Sequence, residues 1–242
     1  LAMALDKNYI DVTDDSLASV ASRYYQKHGP KKYLARSLYY KGLSFYYDGK
    51  YDKAIIELTK SEAIAAAYDS LYLGFIKVLQ ANIYNIDDND TKSVDLLEQA
   101  LSIYTDLHAY NYVNIAKREL ALAYANVKRY DDAERLLTEL LSSDNVNPQV
   151  LAKTMVNYAF LMVARPDADT ELAVNYYEKA AKVEAGKYMS RQDYWGWAYA
   201  LTKTGNINKA QKIIDMMSPL DTSGTAYYWQ YLIAKTQDKT SE

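Results

Sequence analysis

Cysteine is missing from this 242-residue sequence. Its absence excludes disulfides, thiol nucleophiles and cysteine-ligated zinc, and fits an oxidising and a reducing compartment equally. Histidine is nearly missing too. His28 and His108 stand far apart, outside any recognisable nucleophile–base context. His28 precedes Gly29 at a helix end, where an imidazole suits the last-turn carbonyls. HExxH, GxSxG, GxGxxG and Walker-type loops are all absent. Without a catalytic constellation, an enzyme is the least favoured class, and no catalytic residue, metal or cofactor is assigned. Long apolar runs are lacking: the longest, Tyr158 to Ala164, is 7 residues, against about 18–20 for a membrane span. A basic excess is lacking as well. A net charge of −3 and a pI near 5.5 argue against a broad nucleic-acid or anionic-membrane surface. The sequence opens on Leu1, so it is expected to be a processed or cut piece, from which an export signal would already be gone.

The acidic stretch from Asp87 to Glu98 puts Asp87, Asn89, Thr91 and Glu98 at calcium-loop positions. Lys92, however, stands where the loop needs glycine and would repel the ion. Asp90 or Thr91 as a helix N-cap accounts better for the composition. The charge runs "KRYDDAER" and "NYYEKAAK" read as solvated helix faces.

Tyrosine is abundant, with 26 residues against 3 Phe and 3 Trp. Several come as doublets: 24/25, 39/40, 46/47, 176/177 and 227/228. Adjacent helical residues lie about 100° apart, so each doublet can set one ring in the core and one at its rim. Apolar spacing is helical almost throughout: Leu34, Leu38, Leu43 and Tyr46, then Ile55, Leu58 and Ala65. Turn chemistry interrupts it at "HGPKK", "YDGKY", "IDDNDT", "SDNVNP", "ARPDADT", "EAGK" and "SPLDTSG". Half the residues are hydrophobic, 50%, which supplies a substantial core. The reading is all-α, roughly a dozen antiparallel helices, with no linker composition to mark a domain boundary.

One spacing recurs. Gly42, Phe45, Ala54, Leu58 and Ser61 are followed 39 residues on by Ala81, Tyr84, Ser93, Leu97 and Ala100, and 40 later by Ala121, Tyr124, Ala133, Leu137 and Leu140. A fourth copy has Ala173, Tyr177 and Ala180 in its second helix, while Ala159 and Met162 in its first fit only if the "RPDADT" loop is two residues longer. A fifth reads Ala198, Leu201, Ala210, Ile214 and Met217. Small residues at fixed offsets let two helices cross closely while large ones fill the space beside them. Ala54, Ala100, Ala133 and Ala180 are therefore expected to be buried.

These offsets resemble the tetratricopeptide repeat (TPR). "GLSFYYDGKYDKAIIELTKS" matches nearly in full, with Gly49 and Tyr51 in the turn. The copy from Glu119 to Leu141 keeps Tyr130 without the glycine, and that from Trp197 to Met217 keeps Gly205 and replaces the Tyr by Ile207. The spacing of 37 to 40 exceeds the family's 34 and implies longer helices. The resemblance implies one right-handed α-solenoid of antiparallel helix pairs, with repeats at about 33–69, 70–109, 110–147, 148–187 and 188–223 and partial repeats at 1–32 and 224–242. It further implies a concave groove lined by first helices, binding a protein or peptide. Carried over repeat by repeat, the groove positions are Arg36, Tyr39, Leu43 and Tyr46; Asn82 and Asn85; Arg118 and Leu122; Lys153 and Phe160; and Gln192, Trp195, Tyr199 and Thr202, with Trp197 at the core position. An array that stops within a repeat leaves an apolar face, so self-association through the helix from Gly224 to Gln237 is expected. The tyrosine doublets are similar to those of bacterial extracytoplasmic repeat arrays. This favours a periplasmic or lipoprotein-anchored location and offers a second reading: the sensory or regulatory part of a larger signalling protein. No nucleic acid or membrane insertion is expected of this region.

Overall fold

The computed structural model describes residues 13–143, 146–217 and 224–240, with the backbone alone at 224–226 and 237–240. Among the described residues the secondary structure is helical, in twelve α-helices: α1 Ser16–Lys27, α2 Lys31–Tyr47, α3 Tyr51–Tyr68, α4 Ser70–Ile86, α5 Asp90–Asp106, α6 Tyr110–Asn126, α7 Tyr130–Leu141, α8 Pro148–Ala164, α9 Thr170–Lys182, α10 Arg191–Lys203, α11 Ile207–Met217 and α12 Gly224–Thr240. They group into two compact units, 1–116 and 117–242, with the division inside α6. The stretch "LAMALDKNYI", Asp144 and Asn145 of "SDNVNP", and residues 218–223 of "SPLDTSG" lie outside the described residues. No described helix is long and apolar enough to cross a membrane.

The turns explain the repeat. After α2 the chain closes with Gly49 N–H to the Tyr46 carbonyl and Lys50 N–H to that of Phe45, the paired bonds that end a helix on a left-handed residue. Gly49 accordingly has φ +71°. The same pair of bonds recurs at Asp88 and Asn89, at Lys128 and Arg129, and at Gly205 and Asn206. Asp88 and Lys128 hold φ of 55° and 62° with no glycine to ease them. After α5, His108 does the same at φ 51°. The missing glycine before Tyr130 is thus no change of fold; lysine takes the strained conformation instead. The loop between α8 and α9 spans 165–169 where that between α2 and α3 spans 48–50, two residues longer as the spacing requires.

N-caps set the starts. Asp69, Asn89, Asn147 and Asp169 each accept a backbone N–H of the first turn, and Ser190 with Asp193 forms a reciprocal box on α10. Asn89 caps α5, ahead of both expected candidates, Asp90 and Thr91. Its neighbour Asp90 instead accepts from Asn85 Nδ2 at 2.9 Å. Asp69 alone separates α3 from α4, a break that carries neither Gly nor Pro.

Packing follows the small-residue code. Ala54, Ala100 and Ala133 are 0% exposed and Ala180 is 1%. In unit 1, α2 packs on α3, α4 on α5, and the two first helices α2 and α4 touch each other; in unit 2, α8 packs on α9, α10 on α11, and α8 touches α10. First helices thus line up beside first helices. Large residues enter where a neighbour has no side chain: a Cβ on Gly74 would lie 2.4 Å from the Tyr104 ring, and one on Gly196 would lie 2.5 Å from the Tyr177 hydroxyl. The doublet reading holds at 39/40 and 176/177, where Tyr39 and Tyr177 are buried and their neighbours half-buried; at 227/228 both rings are exposed.

Candidate functional site

On α2, Tyr39, Leu43 and Tyr46 follow one another at three- and four-residue intervals and so share a face. On α4 the same face carries Phe75, Leu79 and Asn82, and on the first turns of α6 it carries Tyr112 and Ile115. These three first helices of unit 1 together enclose a cavity of about 270 Å³ lined by these residues, with Tyr47, Val78 and Tyr104 completing it. The described lining contains no charged side chain. Tyr104 reaches it from α5, a second helix, because Gly74 gives it room. The rings interlock edge to face: Tyr39 with Tyr72 at 5.5 Å, Tyr72 with Phe75 at 5.2 Å, and Phe75 with Tyr112 at 4.9 Å between centroids. Burial pushes the Tyr104 phenol far above its ordinary value, and neighbouring Tyr112 adds to the shift, so the floor stays neutral. Asn82, half-buried, is the amide of the wall. Tyr112 remains 37% exposed and stands at the mouth. The arrangement suits an apolar side chain, with an amide beside it to meet a backbone.

Of the groove positions carried over from the repeat, Tyr39, Leu43, Tyr46 and Asn82 meet in this one cavity. The remainder are placed otherwise. Arg36 is engaged within the fold: its Nε lies 2.7 Å from the Asp69 carboxylate and its guanidinium lies over the Tyr72 ring at 4.6 Å. Asn85 ties the α4–α5 turn through Asp90. Arg118 is ion-paired with its neighbour Glu119, and its carbonyl accepts from Asn157. Lys153 pairs with Asp193 at 2.8 Å. Phe160 and Leu122 are half-buried, and Gln192 is exposed.

Trp195 requires a correction. It is 0% exposed and cannot present a binding surface, so the groove assignment at this repeat is withdrawn. The physical reason is coverage: α10 packs against α8, α9, α11 and α12 together, and position five of this repeat turns into that interior. Thr202 is likewise buried at 1%, its hydroxyl donating to the Ala198 carbonyl. Trp197, expected in the core, is instead the less buried indole, with Lys209 over its ring at 5.5 Å. Tyr199 is packed on Trp229 of α12 at 5.6 Å.

Phe75, Tyr104, Tyr112 and Ile115 escaped the sequence reading. A signal for two of them existed. Phe75 lies 39 residues after Arg36, and Ile115 lies 40 after Phe75, so the register applied to every groove position would have reached both. Tyr104 had none: it corresponds to Ala65 of the preceding repeat and enters only because Gly74 replaces Ala35.

No family model and no curated protein matches the sequence. Solved structures do match the fold. A putative kinesin light chain from Podosopora anserina with nearly identical TPR-like repeats superposes with TM-score 0.61 at 18% identity, over 87% of this chain and 100% of that one. A Rap protein complexed with Competence and Sporulation Factor gives TM-score 0.67 at 17% identity, over 89% and 60%. NprR in complex with its cognate peptide NprX gives 0.66 at 16%, over 93% and 68%. At these identities the likeness concerns the fold. Together with the repeat register, the turns and the pairing of first helices, it shows an all-α chain with the helix-pair solenoid fold of the tetratricopeptide-like repeat proteins.

Proposed function

We propose that this chain is a protein- or peptide-binding repeat module, and that the aromatic cavity of unit 1 receives an apolar anchor side chain of the partner. One observation carries the reading: three successive first helices contribute Tyr39, Tyr46, Phe75, Asn82 and Tyr112 to a single uncharged cavity. Buried aromatic pockets of this kind concentrate binding energy in a few residues. Two proteins of the same fold were solved as complexes, a Rap protein with Competence and Sporulation Factor and NprR with its cognate peptide NprX, and the second supports peptide binding here. The test is a random peptide library panned on the chain, with affinities of the selected peptides measured by fluorescence anisotropy. Selected sequences should share an aromatic or branched apolar residue, and Tyr112→Ala and Phe75→Ala should each raise Kd about 10- to 100-fold, the range of an aromatic hot spot. Peptides that bind both variants with unchanged Kd would remove the assignment.

The same proposal includes self-association through α12. Its Tyr227, Tyr228 and Tyr231 are 61%, 57% and 58% exposed, whereas Ile233 is buried and Trp229 packs on Tyr199. One face of the helix is docked and another offers rings to solvent, a pattern that marks an interaction surface.

A further inference from the structure

A second cavity, of about 380 Å³, lies between α1, α2 and α3, within the size range of small-molecule sites. On α2 its residues are Leu34, Leu38 and Lys41. At 100° per residue these cluster roughly 140° around the helix from Tyr39, Leu43 and Tyr46, so it is separate from the aromatic cavity and independent of the function proposed for it.

Antiparallel packing grades this cavity from apolar to charged. Leu34 opens α2 and Ile64 closes α3, so the two share one end; Lys41 and Glu57 share the other, with Nζ and Oε1 3.3 Å apart. Lys60 approaches the same Glu57 oxygen at 2.9 Å, and Arg23 of α1 lines the opposite wall, its Nε on the Ser19 carbonyl at 3.3 Å. Glu57 is buried, at 7% exposure, and holds both ammonium groups at the rim. One carboxylate against three cations leaves an excess of two positive charges, in a chain whose net charge is −3. Charges clustered in a cleft with low-dielectric walls focus their field on an entering counter-ion. An apolar floor at the far end adds a favourable term for a ligand that carries its charge at one end only.

We propose that this cavity binds a small amphiphilic carboxylate, its apolar body on Leu34, Leu38 and Ile64 and its carboxylate among Arg23, Lys41 and Lys60. Two sources share that chemistry: the C-terminal Leu, Ile or Val of a peptide, and a free aliphatic acid. The experiment titrates the methyl-labelled full chain with N-acetyl-leucine, octanoate and the uncharged N-acetyl-leucinamide, following the methyl resonances of Leu38 and Ile64 by NMR. A saturable shift with either acid at millimolar concentration supports the site, and the tighter of the two identifies the source. The amide should bind about 10-fold or more weaker, as should both acids to Arg23→Gln/Lys60→Gln, because each charge-assisted hydrogen bond is worth about that much. Both substituted side chains are exposed, so helicity by circular dichroism should be unchanged. Phe75→Ala should leave these titrations as they are. Absence of any shift, equal binding of the amide, or full affinity in the double variant would overturn the proposal.

Discussion

Single atoms decide two positions. Gly74 lies against the Tyr104 ring so closely that one methyl group would meet it at 2.4 Å, and the only space into which the 2%-exposed ring can yield is the cavity it floors. Gly74→Ala should therefore cost about 1–3 kcal/mol, the usual range for overpacking, read as a lower urea midpoint, and should weaken peptide binding in the cavity that Tyr104 floors. Gly49→Ala has no neighbour within 4 Å and tests backbone strain alone. Tyr158 makes the second case. Its hydroxyl donates to the Glu134 carboxylate at 3.1 Å while Arg165 holds the other oxygen at 2.7 Å. Burial, and then the Glu134 carboxylate beside it, push its pKa up to about 12 from an ordinary 10.0. The sign follows from which state keeps the proton. Above the unfolded value the unfolded chain releases it and the folded chain does not, so stability present below about pH 10 is lost as pH rises toward 12. Urea unfolding at stepped alkaline pH should show a steeper fall for the parent chain than for Tyr158→Phe, and parallel curves would contradict this.

At the scale of elements, the turns carry the most instructive comparison. Equivalent positions after α2, α4, α6 and α10 hold Gly49, Asp88, Lys128 and Gly205, all at positive φ. A side-chain-bearing residue there costs roughly 1–2 kcal/mol, partly offset by the chain entropy that glycine loses. Lys128→Gly should thus stabilise by about 0.5–1 kcal/mol and raise Tm by about 1–4 °C for a chain of this size, whereas Gly205→Ala should lower it by a similar amount; calorimetry distinguishes the two. Much of this was legible beforehand. The alanine register located the helix crossings because only small side chains permit close approach, and that constraint is local to a helix pair. What covers a helix is not local. Trp195 sits at a groove position of the repeat and is buried all the same, because α12 and three other helices enclose α10. Arg36 was legible as a cation on the groove face but not as the partner of Asp69, since the one-residue break at Asp69 carries no turn signature. The cavity in unit 1 was half legible: Tyr39, Tyr46 and Asn82 came from the register, while Tyr104 depended on a glycine in another helix.

For the molecule as a whole, the exposed rings of α12 set the expectation. Sedimentation velocity should show concentration-dependent association that Tyr227→Ser/Tyr231→Ser abolishes, with the circular dichroism spectrum retained; a monomer at all concentrations would remove the self-association reading. The two glycine locks also bear on how such arrays can be recombined. Gly74 and Tyr104 belong to α4 and α5, one helix pair, so that pair can be duplicated or transplanted with its lock intact. Tyr177 of α9 and Gly196 of α10 lie on either side of the boundary between the helix pairs α8–α9 and α10–α11. A crossover at that boundary would bring Tyr177 against whatever residue the incoming segment places at 196, and any Cβ there would fall 2.5 Å from its hydroxyl. The heredity of these two helix pairs is therefore joint: they are exchanged together, or with a segment that brings its own glycine to position 196.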